Sequence, residues 1–163
     1  KKLAILATKA TSENQRFKDL IDLHHNGAQV LIQPCPGLVE FIEQGKQHSP
    51  ECNSLLRQYI EPLINEGIDT LVLGCTHFSF LKSTIKEVAG NDICVIDTAT
   101  PVAMEVKRRL HGLDLNKAGS TAGLVEFWTS ADVEKTTKSI SELWQQDVYV
   151  SEVSSLTSLP KLI

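Results

Sequence analysis

Several things are scarce in this 163-residue chain, and each scarcity narrows its class. No apolar run approaches the ~18 residues of a membrane-spanning helix. There is no excess of positive charge: 16 Lys and Arg stand against 20 Asp and Glu, for a formal charge of −4. A chain without a basic surplus is poorly suited to neutralise phosphates, so a nucleic-acid partner is not expected. Cysteine is sparse: four residues, at 35, 52, 75 and 94, with no C-x-x-C pair. That is too few for a disulfide scaffold and matches a reducing, cytoplasmic setting. A structural zinc site is not expected either, because Cys75 and His77 are one close pair with no second pair. Lys1 and Lys2 precede an apolar run too short for a signal-peptide core. The one methionine is Met104. By contrast, 42% of the residues are hydrophobic, enough for a buried core.

The apolar residues fall in short blocks. Leu3–Ala7, Val30–Ile32, Thr70–Leu73 and Ile93–Ile96 are continuous apolar or β-branched runs, the signature of strands buried on both faces of a parallel sheet. Helical spacing fills the intervals. Ser12 with Gln15 predicts a capping box before the stripe Phe17, Leu20 and Ile21, closed by Gly27. Leu38, Phe41 and Ile42 start a second helical stretch. A longer one carries Leu55, Leu56, Tyr59, Ile60, Leu63 and Ile64, with Pro62 expected to kink or divide it. Leu81, Ile85 and Val88 mark a further helix, and Thr100-Pro101 is expected to open the next. Strands alternating with helices predict an α/β fold with a doubly wound parallel sheet. Residues 114–122 read as a loop. Leu124–Trp128 predicts a strand, a helix follows through Leu143 and Trp144, and Val148–Val150 predicts a last short strand before a serine-rich tail.

In an open parallel sheet ligands bind beyond the carboxyl ends of the strands. Three such ends carry chemistry here. Cys75-Thr76-His77 follows the third strand, at a helix start whose dipole favours a thiolate, and His77 is close enough in sequence to exchange a proton. An inert packed cysteine beside a surface histidine fits the same position equally well. Thr8 and Thr11, at the first strand-to-helix turn, could hold a carboxylate or serve only as turn and cap residues. Cys35, between two prolines, could be a second thiol in the crevice, though packing in the loop is the simpler expectation. Glu43 lies one helical turn beyond that loop. Cys52 is expected at a helix start, and Cys94 inert within a buried strand.

Leu71-Val-Leu-Gly-Cys-Thr-His77, preceded by Gly67-Ile-Asp-Thr70, resembles the second cysteine motif of the glutamate racemase family. Cys35-Pro-Gly-Leu-Val39 with Ile42-Glu43, Ala7-Thr-Lys-Ala-Thr11, Val95-Ile-Asp-Thr98 and Phe127-Trp-Thr129 are similar to further segments of that family in the same order. Ala10 stands where a glycine is common. The histidine after Cys-Thr separates this pattern from aspartate racemases of the same superfamily, which usually carry glutamate there.

The resemblance implies a cofactor-independent isomerase in which two cysteines, one per lobe, face the α-carbon of glutamate from opposite sides. Cys75 would be the acid/base on this lobe and His77 its proton-transfer partner. Thr76, Thr8 and Thr11 would bind the substrate carboxylates, with Glu43 near the mouth. The resemblance also implies D-glutamate supply for peptidoglycan. The family's Asp-Ser and Cys-Asn-Thr motifs do not occur in these 163 residues. The expectation is therefore one complete α/β lobe over 1–98, carrying the second catalytic cysteine. Residues 99–163 would be the C-terminal part of a second, incomplete α/β lobe. Such a chain would represent the C-terminal part of the enzyme, inactive without its N-terminal lobe and prone to homodimerise through open strand edges. Two other readings remain: a non-catalytic module binding an acidic amino acid, and a related superfamily racemase such as aspartate racemase.

Overall fold

The computed structural model describes residues 1–113, 115 and 123–153. They separate into two compact units, Lys1–Asn116 and Lys117–Ile163. The loop expected over 114–122, Leu115 apart, and the tail beyond Val153 lie outside the described residues.

The first unit is built on four parallel strands in the order β2-β1-β3-β4. These are β1 (Lys2–Ala7), β2 (Gln29–Pro34), β3 (Thr70–Leu73) and β4 (Cys94–Asp97). The central strand β1 pairs Ala4 with Leu31 and Leu71, and Leu6 with Gln33 and Leu73. Because successive side chains alternate, Ala4, Leu6, Leu71 and Leu73 share one face, and all four are completely buried. That face meets the apolar stripes of α4 (Pro50–Asn65) and α5 (Lys82–Ala89), where Leu56, Ile60 and Ile85 are also fully buried. On the opposite face Leu3, Ile5, Val30 and Val72 line a groove with Phe17, Leu20 and Ile21 of α2 (Gln15–His24). Helices thus lie on both faces, the doubly wound arrangement that the alternating strands and helices predict.

Several local expectations are corrected. The Ser12–Gln15 capping box does not form. Thr8 instead caps a short helix, α1 (Lys9–Glu13), by accepting from the Thr11 N–H, and Asn14 caps α2 by accepting from the Arg16 and Phe17 N–H groups. Ser12 is buried inside α1, its hydroxyl donating to the Lys9 carbonyl. Pro62 does not divide α4, which runs on to Asn65 with the proline in its last turn. A 3-10 turn, Thr76–Leu81, precedes α5. The helix after β4, α6 (Ala99–Gly112), starts before Thr100, and the Asp97 carboxylate, not a threonine hydroxyl, accepts from its first N–H. Cys94 is exposed rather than buried: β4 is an edge strand, and Cys94 shares a face with the 42%-exposed Ile96. Cys52 sits within α4, two residues after its Pro50 start, and is fully buried, as expected of a helix start.

The second unit holds β5 (Phe127–Thr129), α7 (Val133–Trp144) and β6 (Val150–Glu152). The two strands pair in parallel, with Phe127 opposite Val150. Asp132 caps α7, and Trp144 packs edge-on against Phe127 with ring centroids 5.4 Å apart. Among the described residues no helix is long and apolar enough to cross a membrane.

The packing sets a stability contrast. Leu71→Ala, at a fully buried position, is expected to cost about 2–5 kcal/mol. Leu23→Ala, at a side chain 75% exposed, should stay within about 0.5 kcal/mol of wild type. Urea midpoints at constant m-value measure both.

Candidate active site

The carboxyl ends of β1, β2 and β3 bring Thr8, Cys35 and Cys75 to one edge of the sheet. The register aligns Ala7 with Pro34 and Leu6 with Leu73, so Thr8 stands between the two cysteines. The backbone holds the edge together: the Cys35 N–H donates to the Ala7 carbonyl (2.8 Å) and the Gly74 N–H to the Leu6 carbonyl (2.9 Å).

Gly74 is what lets β3 end this way. A Cβ there would lie 2.8 Å from Ile5 Cγ2 and 2.9 Å from the Leu6 carbonyl oxygen. Only a residue without a side chain lets the chain pass β1 so closely. The next residue, Cys75, is extended and then gives way to the 3-10 turn. Phe78 and Leu81, both fully buried, root that turn in the core, and Thr76 and His77 lie at its free end.

Cys75, His77 and Glu43 form a chain of contacts. Cys75 Sγ lies 4.0 Å from His77 Nδ1, and His77 Nε2 lies 3.5 Å from Glu43 Oε1. Glu43 comes from α3 (Leu38–Glu43), whose Leu38 and Ile42 are buried. Nε2 thus faces the carboxylate and Nδ1 is the ring nitrogen turned toward the thiol. Sequence spacing points to His77 beside Cys75, but the Glu43 contact comes from the fold, across 34 residues.

Thr8 and Thr11 are also brought together, their hydroxyl oxygens 2.9 Å apart at the start of α1. Thr76 is exposed at the start of the 3-10 turn. Cys35 is enclosed instead. Its thiol donates to the Gln33 carbonyl at 3.3 Å. Burial pushes its pKa up to about 12; the Ala7 hydrogen bond lowers it and the nearby Cys75 charge raises it again. Across two inter-strand spacings its Cα is roughly 10 Å from that of Cys75, beyond disulfide reach. Among the described residues no three His, Cys, Asp or Glu side chains group to hold a metal ion.

One part of this edge, within the Val95–Thr98 segment, was not among the candidate site residues. Asp97, the last residue of β4, accepts from Ser79 Oγ at 2.8 Å and the Ala99 N–H at 3.0 Å, and meets Lys82 Nζ at 3.4 Å. These contacts hold its carboxyl below the usual range, the Ala99 hydrogen bond contributing most. An acid at a strand's carboxyl end, where crevices form, was the available signal.

The Asp/Glu/hydantoin racemase family model matches residues 1–106. A glutamate racemase of Pseudomonas putida is 43% identical over 144 residues, which is 88% of this chain and 54% of that protein. The chain therefore spans about half the length of the curated relatives it matches. Among solved structures, a glutamate racemase isoform of Bacillus anthracis superposes with a TM-score of 0.82 at 25% identity, covering 94% of this chain and 57% of that one. The glutamate racemase of Francisella tularensis in complex with D-glutamate has a TM-score of 0.82 at 22% identity, covering 97% of this chain and 59% of that one; at this identity the likeness shows the fold.

Two outcomes test this geometry. Gly74→Ala is expected to destabilise the chain by about 1–3 kcal/mol, because the new methyl meets β1 rather than open space. The raised Cys35 pKa gives an alkaline slope. The folded state keeps this proton up to about pH 12 while the unfolded thiol loses it near 9. The associated stability is present below pH 9 and is lost as pH rises toward 12, by at most about 4 kcal/mol. Comparing denaturant midpoints of wild type and Cys35→Ala between pH 8 and 11 isolates that slope.

Proposed function

The chain belongs to the Asp/Glu/hydantoin racemase family, and on that premise we propose that it supplies one proton-transferring face of a glutamate racemase. The observation that carries this reading is the Cys75–His77–Glu43 chain at the carboxyl end of β3. The proton on an amino acid's α-carbon is very weakly acidic, so its removal needs a placed base and stabilisation of the carbanion. His77 takes the Cys75 thiol proton at Nδ1, and the thiolate removes the α-proton from the substrate face it meets. In the other direction the Cys75 thiol returns a proton to the carbanion and His77 restores it. Glu43 holds His77 in the accepting tautomer and balances the imidazolium. Thr8, Thr11 and Thr76 bind substrate carboxylate through their hydroxyls.

Inversion requires a second acid/base on the far face of the α-carbon, which one residue cannot be. Cys35 does not fit that role: it is buried, and its pKa is pushed toward 12. In this reading the opposing thiol comes from an N-terminal lobe outside these 163 residues. Residues 1–98 then form the lobe carrying Cys75, and residues 99–163 complete the other lobe. The reaction uses no cofactor and supplies D-glutamate for cell-wall peptidoglycan in the cytoplasm.

The test is α-proton exchange in D2O, followed by NMR on L- and D-glutamate. The chain alone is expected to give negligible racemisation. Mixing it with the N-terminal half of the Pseudomonas putida relative should restore exchange, and Cys75→Ala should abolish it. His77→Asn and Glu43→Gln should slow it, by about 10²–10⁴-fold for the histidine, the usual worth of a proton-transfer group. Full racemisation by the chain alone would defeat the two-face scheme. Glutamate binding with no exchange in the mixture would favour a non-catalytic binding module.

A further inference from the structure

We propose that Asp97 is a positioning residue for Cys75 and His77, acting through Ser79; the proposal rests on the reading that these two residues move the proton. Asp97 touches no candidate substrate-binding group. Its side chain is only 13% exposed, and its two oxygens face three segments. Oδ1 accepts from Ser79 Oγ, in the same 3-10 turn as His77, and from the Ala99 N–H at the start of α6. Oδ2 meets Lys82 at the start of α5. The next residue completes the clamp: Thr98 Oγ1 donates to the Leu73 carbonyl at 3.1 Å, two residues before Cys75.

The turn therefore has two kinds of anchor. Phe78 and Leu81 root it by apolar burial, which fixes depth and tolerates rotation. The Ser79–Asp97 hydrogen bond is directional and fixes the rotation. Rotation matters here because the Cys75 Sγ to His77 Nδ1 distance, 4.0 Å, is at the outer limit for a hydrogen bond involving sulfur. A small turn of the Thr76–Leu81 segment breaks that contact without unfolding anything. Because α6 starts on the same carboxylate, its first residues and the Cys75 turn are held by one group.

The experiment reads thiol ionisation and needs no substrate. Alkylation of each cysteine of the 163-residue chain by iodoacetamide is followed by peptide mass spectrometry from pH 6 to 10. Asp97→Ala and Ser79→Ala are each expected to raise the pH midpoint for Cys75. At pH 7.5 they should slow its alkylation about threefold or more, the effect of a half-unit shift on the thiolate fraction. Ser79→Thr, which keeps the hydroxyl, should restore the wild-type midpoint. Cys94, exposed on β4, serves as the rate control, and Cys35 and Cys52 should stay protected. An unchanged Cys75 midpoint in Ser79→Ala overturns the proposal. So does equal acceleration at Cys35 and Cys52, which would mean general loosening. Ser79→Ala removes a single oxygen and keeps the test open if Asp97→Ala does not fold. Failure of glutamate exchange would count against the racemase reading alone, because alkylation requires no turnover.

Discussion

The close approach of Gly74, just past the end of β3, to β1 is the constraint on which the rest of the first unit depends. Central strand β1 brings small or fully buried residues, Ala4, Leu6 and Ala7, to the middle of the sheet. Gly74 then donates to the Leu6 carbonyl at a spacing that no side chain could share. This contact decides where β3 stops and so where Cys75 begins. Everything at the crevice is placed relative to that stop: Thr8 beside it, His77 two residues on, and Glu43 reaching in from α3. The apolar core supplies most of the free energy, but it acts without direction. The point at which the thiol's segment leaves the sheet comes from backbone hydrogen bonds and from one missing Cβ.

Much of the first unit was legible in the sequence because its strands are buried on both faces and therefore read as unbroken apolar runs. Val30–Ile32 and Thr70–Leu73 fall inside the observed β2 and β3 for that reason. The errors cluster where a side chain chooses among backbone partners. Ser12 has the spacing of a cap, yet Thr8 and Asn14 take the capping roles. Thr100 has the same look, yet Asp97 reaches the helix N–H first. Capping depends on which oxygen arrives within hydrogen-bond distance, and spacing alone does not encode that. Cys94 departs from expectation for another reason: an apolar run signals a strand, but does not say whether that strand lies at the edge of its sheet.

At the crevice the legible part was the short-range part. Cys75, Thr76 and His77 are contiguous, and Thr8 and Thr11 are one turn apart, so their grouping follows from local geometry. Glu43 was marked by its place after the Cys35 loop, but its contact with His77 needed the tertiary structure. Ser79 and Asp97 are 18 residues apart on different elements, and their pairing had no sequence signature. The family match covers residues 1–106, and the fold agrees with that of racemase structures. The roles of individual side chains rest on the distances.

α6 carries a further consequence. Val102, Met104, Val106 and Leu110 are each 40–60% exposed along a helix that begins on the Asp97 carboxylate. Any surface that removes these side chains from water lowers the free energy of the folded state by mass action, in proportion to RT ln(1 + [L]/Kd). The helix start so stabilised is the one held by the carboxylate that also holds Ser79. Burial of that apolar stripe and anchoring of the Cys75 turn therefore meet at one carboxylate, that of Asp97.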